Sequence, residues 1–400
     1  MTAPLLILIG IVIVSAWALG MLFRRAGAPG AMVLAGVLIG ALAGPTTFGR
    51  MMPEQYERWV AGGAEHRAEL RAIVHEQEAS LLAAEAAGFD QEALEEKQRE
   101  HRAIREPIEA QWRQAKWEHT RPLRWAALIS AGLILLTAGR VEGKNHQPAS
   151  RAQHLTAVNI GFWLATLPAA VVALLGHLWW QWPPEALGAA GAALAIGVWR
   201  MPRTDAEATE DAEPGGVYML LRAGWLSGLI AVVLLGWSIV YAELNPLWVG
   251  VLATIPAGIL IGYRRLQRPS SGGEAHQPAL DLLLAAIAAL VVMQIDLIGD
   301  FSFWPCLIVA IVSMDGRWTS ALVGTLTLGG RRTLRSMRLL LAVVAIGPTQ
   351  LAVVGIGLSI GLIGPEVGLA LVCGAVLAEI SGPLRSRVAR ETRGLEHFEG

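Results

Sequence analysis

The sequence predicts an all-α polytopic membrane protein of about eleven transmembrane helices, with an extramembrane helical hairpin after the second. Two observations lead to this prediction. Hydrophobic residues make up 54% of the chain and charged residues 16%. The apolar residues are concentrated in long segments, and a single charged stretch, 49–121, separates the second segment from the third. A helix needs about 20 apolar residues to cross the hydrocarbon core of a bilayer.

Eleven apolar segments are candidates for membrane spans. They are 4–23, 30–48, 122–140, 155–180, 184–200, 217–241, 246–263, 279–297, 303–328, 338–361 and 365–384. Segments 184–200 and 246–263 are short for complete spans. The first segment does not fit a cleaved signal peptide, because it lacks a basic start and is followed by Arg24 and Arg25. We therefore divide the chain into spans 1–2 (1–48), a hairpin (49–121), spans 3–11 (122–384) and a short tail (385–400).

The placement of basic residues predicts the topology. If the N-terminus lies outside and the segments alternate, more than half of the 32 basic residues fall in or beside cytoplasmic regions. The four short outer turns, 181–183, 242–246, 298–302 and 362–364, contain none. Short cytoplasmic loops are enriched in lysine and arginine. We therefore expect a bacterial inner-membrane protein with its N-terminus outside and its C-terminus in the cytoplasm.

The charged stretch 49–121 then lies outside, and it predicts a helical hairpin. Gly88-Phe89-Asp90 is its clearest break, because glycine suits a helix C-terminus and aspartate can cap the next helix. We expect helices over 54–87 and 90–119. The apolar residues expected to face one another are Trp59, Leu70, Ile73, Val74 and Leu81 against Leu94, Ile104, Ile108 and Trp112. Two interpretations stay open: a stalk or assembly surface, and an element that binds a periplasmic protein.

Several function classes find no support in the sequence. A phosphate-binding loop is absent, which argues against an ATP-driven pump. The sequence offers no cluster of nucleophilic, metal-binding or acid–base residues, so we expect neither an enzyme nor a cofactor. No nucleic-acid-binding module is present. Cys306 and Cys373 fall within apolar segments and are interpreted as small packing residues.

Polar interruptions in the last hundred residues predict a site inside the membrane. Asp315 and Arg317 lie in the apolar segment 303–328, and Gly347-Pro348-Thr349-Gln350 interrupts the segment 338–361. A charged side chain at bilayer depth is costly and usually faces a partner or a cavity. A broken helix there requires protein or water around its freed backbone groups. Secondary transporters build their sites near the membrane midplane from such features.

Several motifs resemble the monovalent cation/proton antiporter family. Residues 35–40, after the basic pair Arg24-Arg25 and a Gly/Pro turn, look like its second helix, which ends in Gly-Pro as Gly44-Pro45 does here. Residues 136–142 are similar to the end of its third helix. The strongest stretch is 316–384: Gly316-Arg317, the basic turn 331–335, the interruption at Pro348, and the motifs 361–366 and 382–384 follow in family order. The resemblance covers most of the chain outside 49–121.

The resemblance implies an inverted-repeat bundle in which two broken helices cross at the membrane centre. It also implies a homodimer and an aspartate that binds either a proton or a cation. That aspartate would fall near 225–228, where the chain has Trp-Leu-Ser-Gly. The partner helix at 192–197 lacks an ionisable residue, and Pro348-Thr349-Gln350-Leu351 lacks the charges of the family motif. The chain thus resembles a divergent member without the central aspartate.

Asp315 is the carboxylate that the sequence places well inside a span, and it heads the candidates for an ion pathway. The other candidates are Arg317, Thr349 and Gln350, with Gly347 and Pro348 as broken-helix elements and Asn159 and Arg222 as secondary candidates. In one interpretation Asp315 is a titrating cation ligand and Arg317 a fixed charge. In the other, Arg317 neutralises carbonyl groups around Pro348, while Asp315 pairs with Arg222 or caps a helix.

These residues predict an antiporter-like secondary transporter. It would exchange a monovalent cation for protons by alternating access. The alternative is a non-transporting relative that acts as a sensor or an assembly partner through the 49–121 hairpin. The predicted partners are the cation, protons and the lipid bilayer, with a possible second copy of the chain and a possible periplasmic protein.

Overall fold

The computed structural model describes residues 3–87, 89, 91–138, 151–196, 214–243, 277–314, 319–320, 323 and 347–381. All regular structure within these ranges is helical. The helices are α1 (Ala3–Arg25), α2 (Ala31–Ala43), α3 (Phe48–Met51), α4 (Pro53–Tyr56), α5 (Ala64–Ala86), α6 (Gln91–His119), α7 (Arg121–Ala138), α8 (Arg151–Leu178), α9 (Pro184–Ala195), α10 (Pro214–Tyr241), α11 (Gln277–Val292), α12 (Phe303–Met314), α13 (Gly347–Ile360) and α14 (Pro365–Ile380). A π-helical turn, Glu57–Ala61, follows α4. Ten of the eleven predicted segments contain a described helix, and the seventh, 246–263, lies outside the described residues.

Three of the described helices have the length and the apolar composition of membrane spans. Ala3–Arg25, Ala31–Met51 and Gly161–Leu178 are long and apolar enough to cross a bilayer, and shorter apolar helices accompany them. Along α1, Ile7, Ile11 and Val14 are 64%, 57% and 60% exposed. Soluble proteins rarely expose large apolar patches unless a partner covers them. Contact with lipid would cover these exposed apolar side chains. The total of eleven spans stays a prediction.

Residue contacts divide the chain into two units, and the first consists of Met1–Ile9 and Thr47–Leu123. Within it α5 and α6 run antiparallel. Gln77 donates a hydrogen bond to the carbonyl of His101 at 3.1 Å, and Lys97 donates one to the carbonyl of Ser80 at 3.3 Å. The chain therefore folds back between Ala86 and Gln91, around the predicted break at 88–90.

The first arm of this hairpin differs from the continuous helix expected over 54–87. After the π-helical turn, Gly62 and Gly63 adopt φ of 75° and 73°, conformations that favour glycine. A Cβ on Gly63 would lie 2.9 Å from Trp112 Cδ1, and one on Gly62 would collide with His119. The helix is interrupted there because α6 approaches the backbone so closely.

Two of the residues expected inside the hairpin are mainly exposed. Trp59 is 48% exposed and Ile104 is 53% exposed. Trp59 lies on the π-helical turn and packs against Phe48, with ring centroids 6.2 Å apart. Both side chains are therefore exposed rather than enclosed by the opposite helix, contrary to the expectation.

A buried carboxylate lies beside this interruption. Glu57 is 5% exposed and forms ion pairs with Arg67 and with Arg71, the second at 3.1 Å. Burial, followed by the charge of Arg71, lowers the pKa of Arg67 below its usual range. Glu57 thus links the π-helical turn to the first two turns of α5.

The second unit, Gly10–Thr46 with Arg124–Gly400, is built around α13. Every one of the 14 residues of α13 is buried. The helix packs against α9, α11 and α14, and α12 packs along α14. Most residues of α9 are buried alanine or glycine. Such small residues let helix backbones approach closely in membrane proteins.

A glycine seam joins α2 to α11. Cβ atoms on Gly36 and Gly40 would each lie 2.5 Å from a carbonyl oxygen of α11, those of Ala285 and Ala289. One on Gly44 would lie 3.1 Å from Met293 Cα. Because successive glycines meet successive residues of α11, the two helices are parallel. The predicted topology gives these two segments the same direction, while the side that faces the cytoplasm stays a prediction.

Polar contacts hold both ends of this seam. Before α2 begins, Arg24 pairs with Asp281 near the start of α11 at 2.5 Å, and Asp281 is 5% exposed. After α2 ends, Thr46 Oγ1 accepts a hydrogen bond of 2.9 Å from the backbone N–H of Leu297. The two helices are therefore connected at both ends.

Candidate functional site

The predicted interruption forms the first described turn of α13. Gly347, Pro348, Thr349 and Gln350 are helical and buried. The residues that precede Gly347 in the predicted span 338–361 lie outside the described part of the chain. The described first turn of α13 is surrounded by protein.

Gln350 is the centre of the site. Its side chain is fully buried, and its amide nitrogen donates to the carbonyl of Leu371 at 2.9 Å and to Ser313 Oγ at 3.3 Å. Its Oε1 has no hydrogen-bond partner among the described residues. A buried polar atom without a partner costs about 1–3 kcal/mol. This oxygen is therefore poised to accept a hydrogen bond or to bind a cation.

Three helices converge on Gln350. Ser313 comes from the last described turn of α12, Gln350 from the first described turn of α13, and Gly374 and Leu371 from the middle of α14. A Cβ on Gly374 would collide with Ser313 Oγ and would lie 3.2 Å from Gln350 Nε2. The cluster therefore depends on a glycine at this position. Its oxygens are neutral, a type of ligand that hard cations accept.

Charged residues lie near both described ends of α13. Gly347 packs against Glu379 of α14, and a Cβ on this glycine would be 3.0 Å from Glu379 Oε1. At the C-terminal end, buried Arg124 of α7 donates to the carbonyl of Ser359 at 3.5 Å. A base near a helix C-terminus complements the helix dipole. Arg124 thus stabilises the C-terminal end of α13.

Most of the remaining predicted site residues lie outside the described part of the structure. Asp315 and Arg317 lie outside the described residues. Arg222 belongs to α10, and its side chain is likewise outside the described part. Asn159 is half-buried on α8, a helix that packs mainly against α9 and α10. Of the predicted set, the structure brings together the four residues of the α13 turn.

The structure adds residues that the sequence did not select for this site. Ser313, Gly374, Glu379 and Arg124 take part in it, and Asp281 is a buried carboxylate in an apolar segment. One feature of the sequence could have identified the charged residues Glu379, Arg124 and Asp281: each lies near the end of an apolar segment. No such feature marks Ser313 and Gly374, because serine and glycine are common in membrane helices.

In the part of the chain that the structure describes, no three His, Cys, Asp or Glu side chains form a group able to hold a metal ion. No family model matches this chain, and no curated protein matches it either. The resemblance to antiporters therefore depends on sequence motifs alone.

Proposed function

We propose that this protein is a secondary transporter of the cation/proton antiporter type. It exchanges a monovalent cation for protons across the bacterial inner membrane by alternating access. The observation that carries the proposal is the fully buried Gln350, whose Oε1 has no partner among the described residues. A polar atom in this state within an apolar segment of a membrane protein is typical of a functional site.

The neighbouring oxygens support cation binding. Ser313 Oγ lies beside Gln350, and buried Thr349 precedes it on the same turn. A cation that leaves water needs oxygens to replace part of its hydration shell. Neutral oxygens do this without holding the ion so strongly that it cannot leave. We therefore assign Thr349, Gln350 and Ser313 to the cation side of the exchange.

The proton requires a titrating group, and Asp315 is our candidate. It follows Ser313 by two residues in the sequence. An ionised Asp315 binds the cation and a protonated one does not, which makes the two ligands mutually exclusive. Arg317 supplies a fixed positive charge in the same stretch. In the competing role, Arg317 supports the helix ends and Asp315 pairs with Arg222.

The proposed architecture is an inverted repeat of eleven spans with the N-terminus outside, assembled as a homodimer. Its two central helices are α9 and α13. The first ends at Ala195 inside the predicted span 184–200. The two helices contact each other. This contact supports the pairing of two central helices that the antiporter resemblance implies.

Transport tests this proposal directly. Protein in proteoliposomes is exposed to gradients of Na⁺, K⁺ and Li⁺, and a pH-sensitive dye inside the vesicles reports proton movement. We expect one of these cations to drive proton flux and Asp315→Asn to abolish it. Gly10→Ala is the control, because a Cβ at Gly10 would have no atom within 4 Å. Flux that survives Asp315→Asn would remove Asp315 from the mechanism and leave the transporter.

A second candidate function rests on the hairpin. Among the described residues of α6 none is buried, so a long charged face is open to a partner. A non-transporting sensor or assembly protein would use this face. No flux with any of the three cations, in protein that elutes as a folded species, would favour this function.

A further inference from the structure

A compact aromatic cluster lies between α2 and the hairpin. Here the chain forms the short helices α3 and α4 and the π-helical turn. The ring of Phe48 packs edge-on against Tyr56, with centroids 5.8 Å apart, and packs against Trp59 at 6.2 Å. His119 Nε2, at the end of α6, lies 3.3 Å from the carbonyl oxygen of Trp59. Residues 48–61, which we call the connecting segment, are therefore folded and attached to the end of α6.

The connecting segment exposes large apolar side chains. Met51 is 74% exposed, and Met52 and Trp59 are 50% and 48% exposed. Arg58, beside Trp59 in the sequence, is exposed as well. Exposed apolar side chains that occur together mark a surface for a protein, a ligand or a membrane. This combination suits a partner that is apolar in part and also accepts a positive charge.

The first unit contains the start of a candidate membrane span in addition to the connecting segment. The unit includes Met1–Ile9 together with Thr47–Leu123. Helix α1 is long and apolar enough to cross a bilayer, and near its start Leu6 and Ile7 are exposed. The exposed apolar surface of this span and that of the connecting segment therefore belong to the same compact unit. This continuity indicates lipid as the partner.

The chain also joins the connecting segment and the end of α6 to two further apolar helices. A second candidate span, Ala31–Met51, ends inside the connecting segment. Helix α7 begins at Arg121, two residues after α6 ends at His119. Helices α5 and α6, by contrast, are rich in charged residues. Because apolar helices meet charged helices here, the boundary between hydrocarbon and water falls near the connecting segment.

We propose that the connecting segment lies in the headgroup region of the bilayer and anchors the hairpin to the membrane. Met51, Met52 and Trp59 contact the upper parts of the acyl chains, and Arg58 contacts lipid phosphate. Tryptophan is enriched at this depth, because its ring is apolar and its N–H is polar. The long side chain of arginine extends from apolar surroundings to a polar group. The anchor requires a bilayer and not transport, so it goes beyond the proposed function.

Depth-dependent fluorescence quenching tests the anchor. Full-length Met51→Cys and Met52→Cys variants carry an NBD label in phosphatidylcholine vesicles that contain spin-labelled lipid. Glu78→Cys, at an exposed position of α5, is the control, and the unmodified chain gives the background from Cys306 and Cys373. We expect both test labels to emit at shorter wavelength than the control. A spin label near the headgroup should quench them more than one deep in the acyl chains, and the control should lose no fluorescence with either.

Two results would overturn the proposal. Test labels that behave like the control would show that the connecting segment lies in water. Stronger quenching by the deep spin label would show that the segment lies within the hydrocarbon as part of a span. Quenching as expected, without cation flux in proteoliposomes, would retain the anchor and reject the transporter. Flux without quenching would do the reverse.

Photo-crosslinking of the unmodified chain replaces the labels if a variant does not elute as the unmodified protein does. The vesicles then contain a phospholipid with a diazirine close to its headgroup, and the protein is digested with trypsin after illumination. We expect lipid adducts on peptide 51–58, which trypsin releases by cleavage after Arg50 and Arg58. Peptide 72–97 of the hairpin should carry none. Absence of adducts on peptide 51–58, or equal labelling of the two peptides, would overturn the proposal.

Discussion

Gly374 and Ser313 face each other so closely that a side chain on the glycine would collide with the serine hydroxyl. The same hydroxyl accepts a hydrogen bond of 3.3 Å from the Gln350 amide. Because Gly374 of α14 has no Cβ, Ser313 of α12 and Gln350 of α13 can form their polar contact. Both the packing of these helices and the proposed ion site therefore depend on Gly374.

Replacing Gly374 with alanine should disturb this contact. We expect a loss of about 1–3 kcal/mol in stability, the usual cost of overpacking a close-packed site. Ser313→Gly should restore most of it, because it removes the colliding hydroxyl and its Cβ. Thermal unfolding in detergent measures both effects, with Gly364→Ala as the control because a Cβ there meets nothing within 4 Å. Strictly additive losses in the double variant would show that the two residues are not coupled.

Gln350→Leu should impair ion binding while it leaves the stability of the ion-free protein nearly unchanged. The leucine removes a hydrogen-bond donor, and it also removes an oxygen whose missing partner costs about 1–3 kcal/mol, so the melting temperature should change little. A cation that binds the folded state raises stability by about 2.7 kcal/mol at a hundred times its dissociation constant. We expect Na⁺, K⁺ or Li⁺ to raise the melting temperature of the unmodified chain and not of the variant. An equal rise in both would exclude Gln350 as a ligand.

Glu57→Gln should loosen the start of α5. The change leaves Arg67 and Arg71 without their shared carboxylate. Because both guanidinium groups are about half exposed, we expect a cost of about 1 kcal/mol rather than the larger cost of a fully buried pair. Trypsin cleavage after these two arginines in the full-length protein should become faster. Glu78→Gln, a change at an exposed position of α5, should cleave at the original rate. Equal rates would mean that Glu57 does not hold the helix.

Gly36→Ala tests the seam between α2 and α11. The added methyl group would lie 2.5 Å from the Ala285 carbonyl and 2.6 Å from Ala288 Cβ, so backbone must move. A loss of about 1–3 kcal/mol is expected, whereas Gly10→Ala on α1 should change stability by no more than about 0.5 kcal/mol. Unfolding in detergent with increasing denaturant measures the difference. Similar midpoints for the two variants would contradict the close packing.

Local patterns in the sequence predicted the helices but not which of their residues meet. Apolar runs and the break at 88–90 indicated helices that the structure contains. The interruption at Gly62 and Gly63 was missed, because its cause is the approach of Trp112 and His119 from the other arm. Gln350 was recognisable as a polar residue in an apolar segment. Its contacts with Ser313 and Gly374 arise from tertiary packing, for which a single sequence has no signal.

The Arg24–Asp281 contact shows the same limit over a longer separation. Each residue has an ordinary local interpretation: a topogenic arginine, and an acid at the edge of an apolar segment. Only the packing of the α1 terminus on α11 makes the two residues partners.

The glycine seam has a mechanical consequence. Helices whose backbones touch along their length cannot slide or roll past each other without collision, and α2 and α11 are also joined beyond both ends of α2, by Arg24 with Asp281 and by Thr46 with Leu297. The two helices should therefore move as one rigid body. Any rearrangement that opens the second unit to one side of the membrane would move both helices together, and the hinges would lie in other parts of the chain.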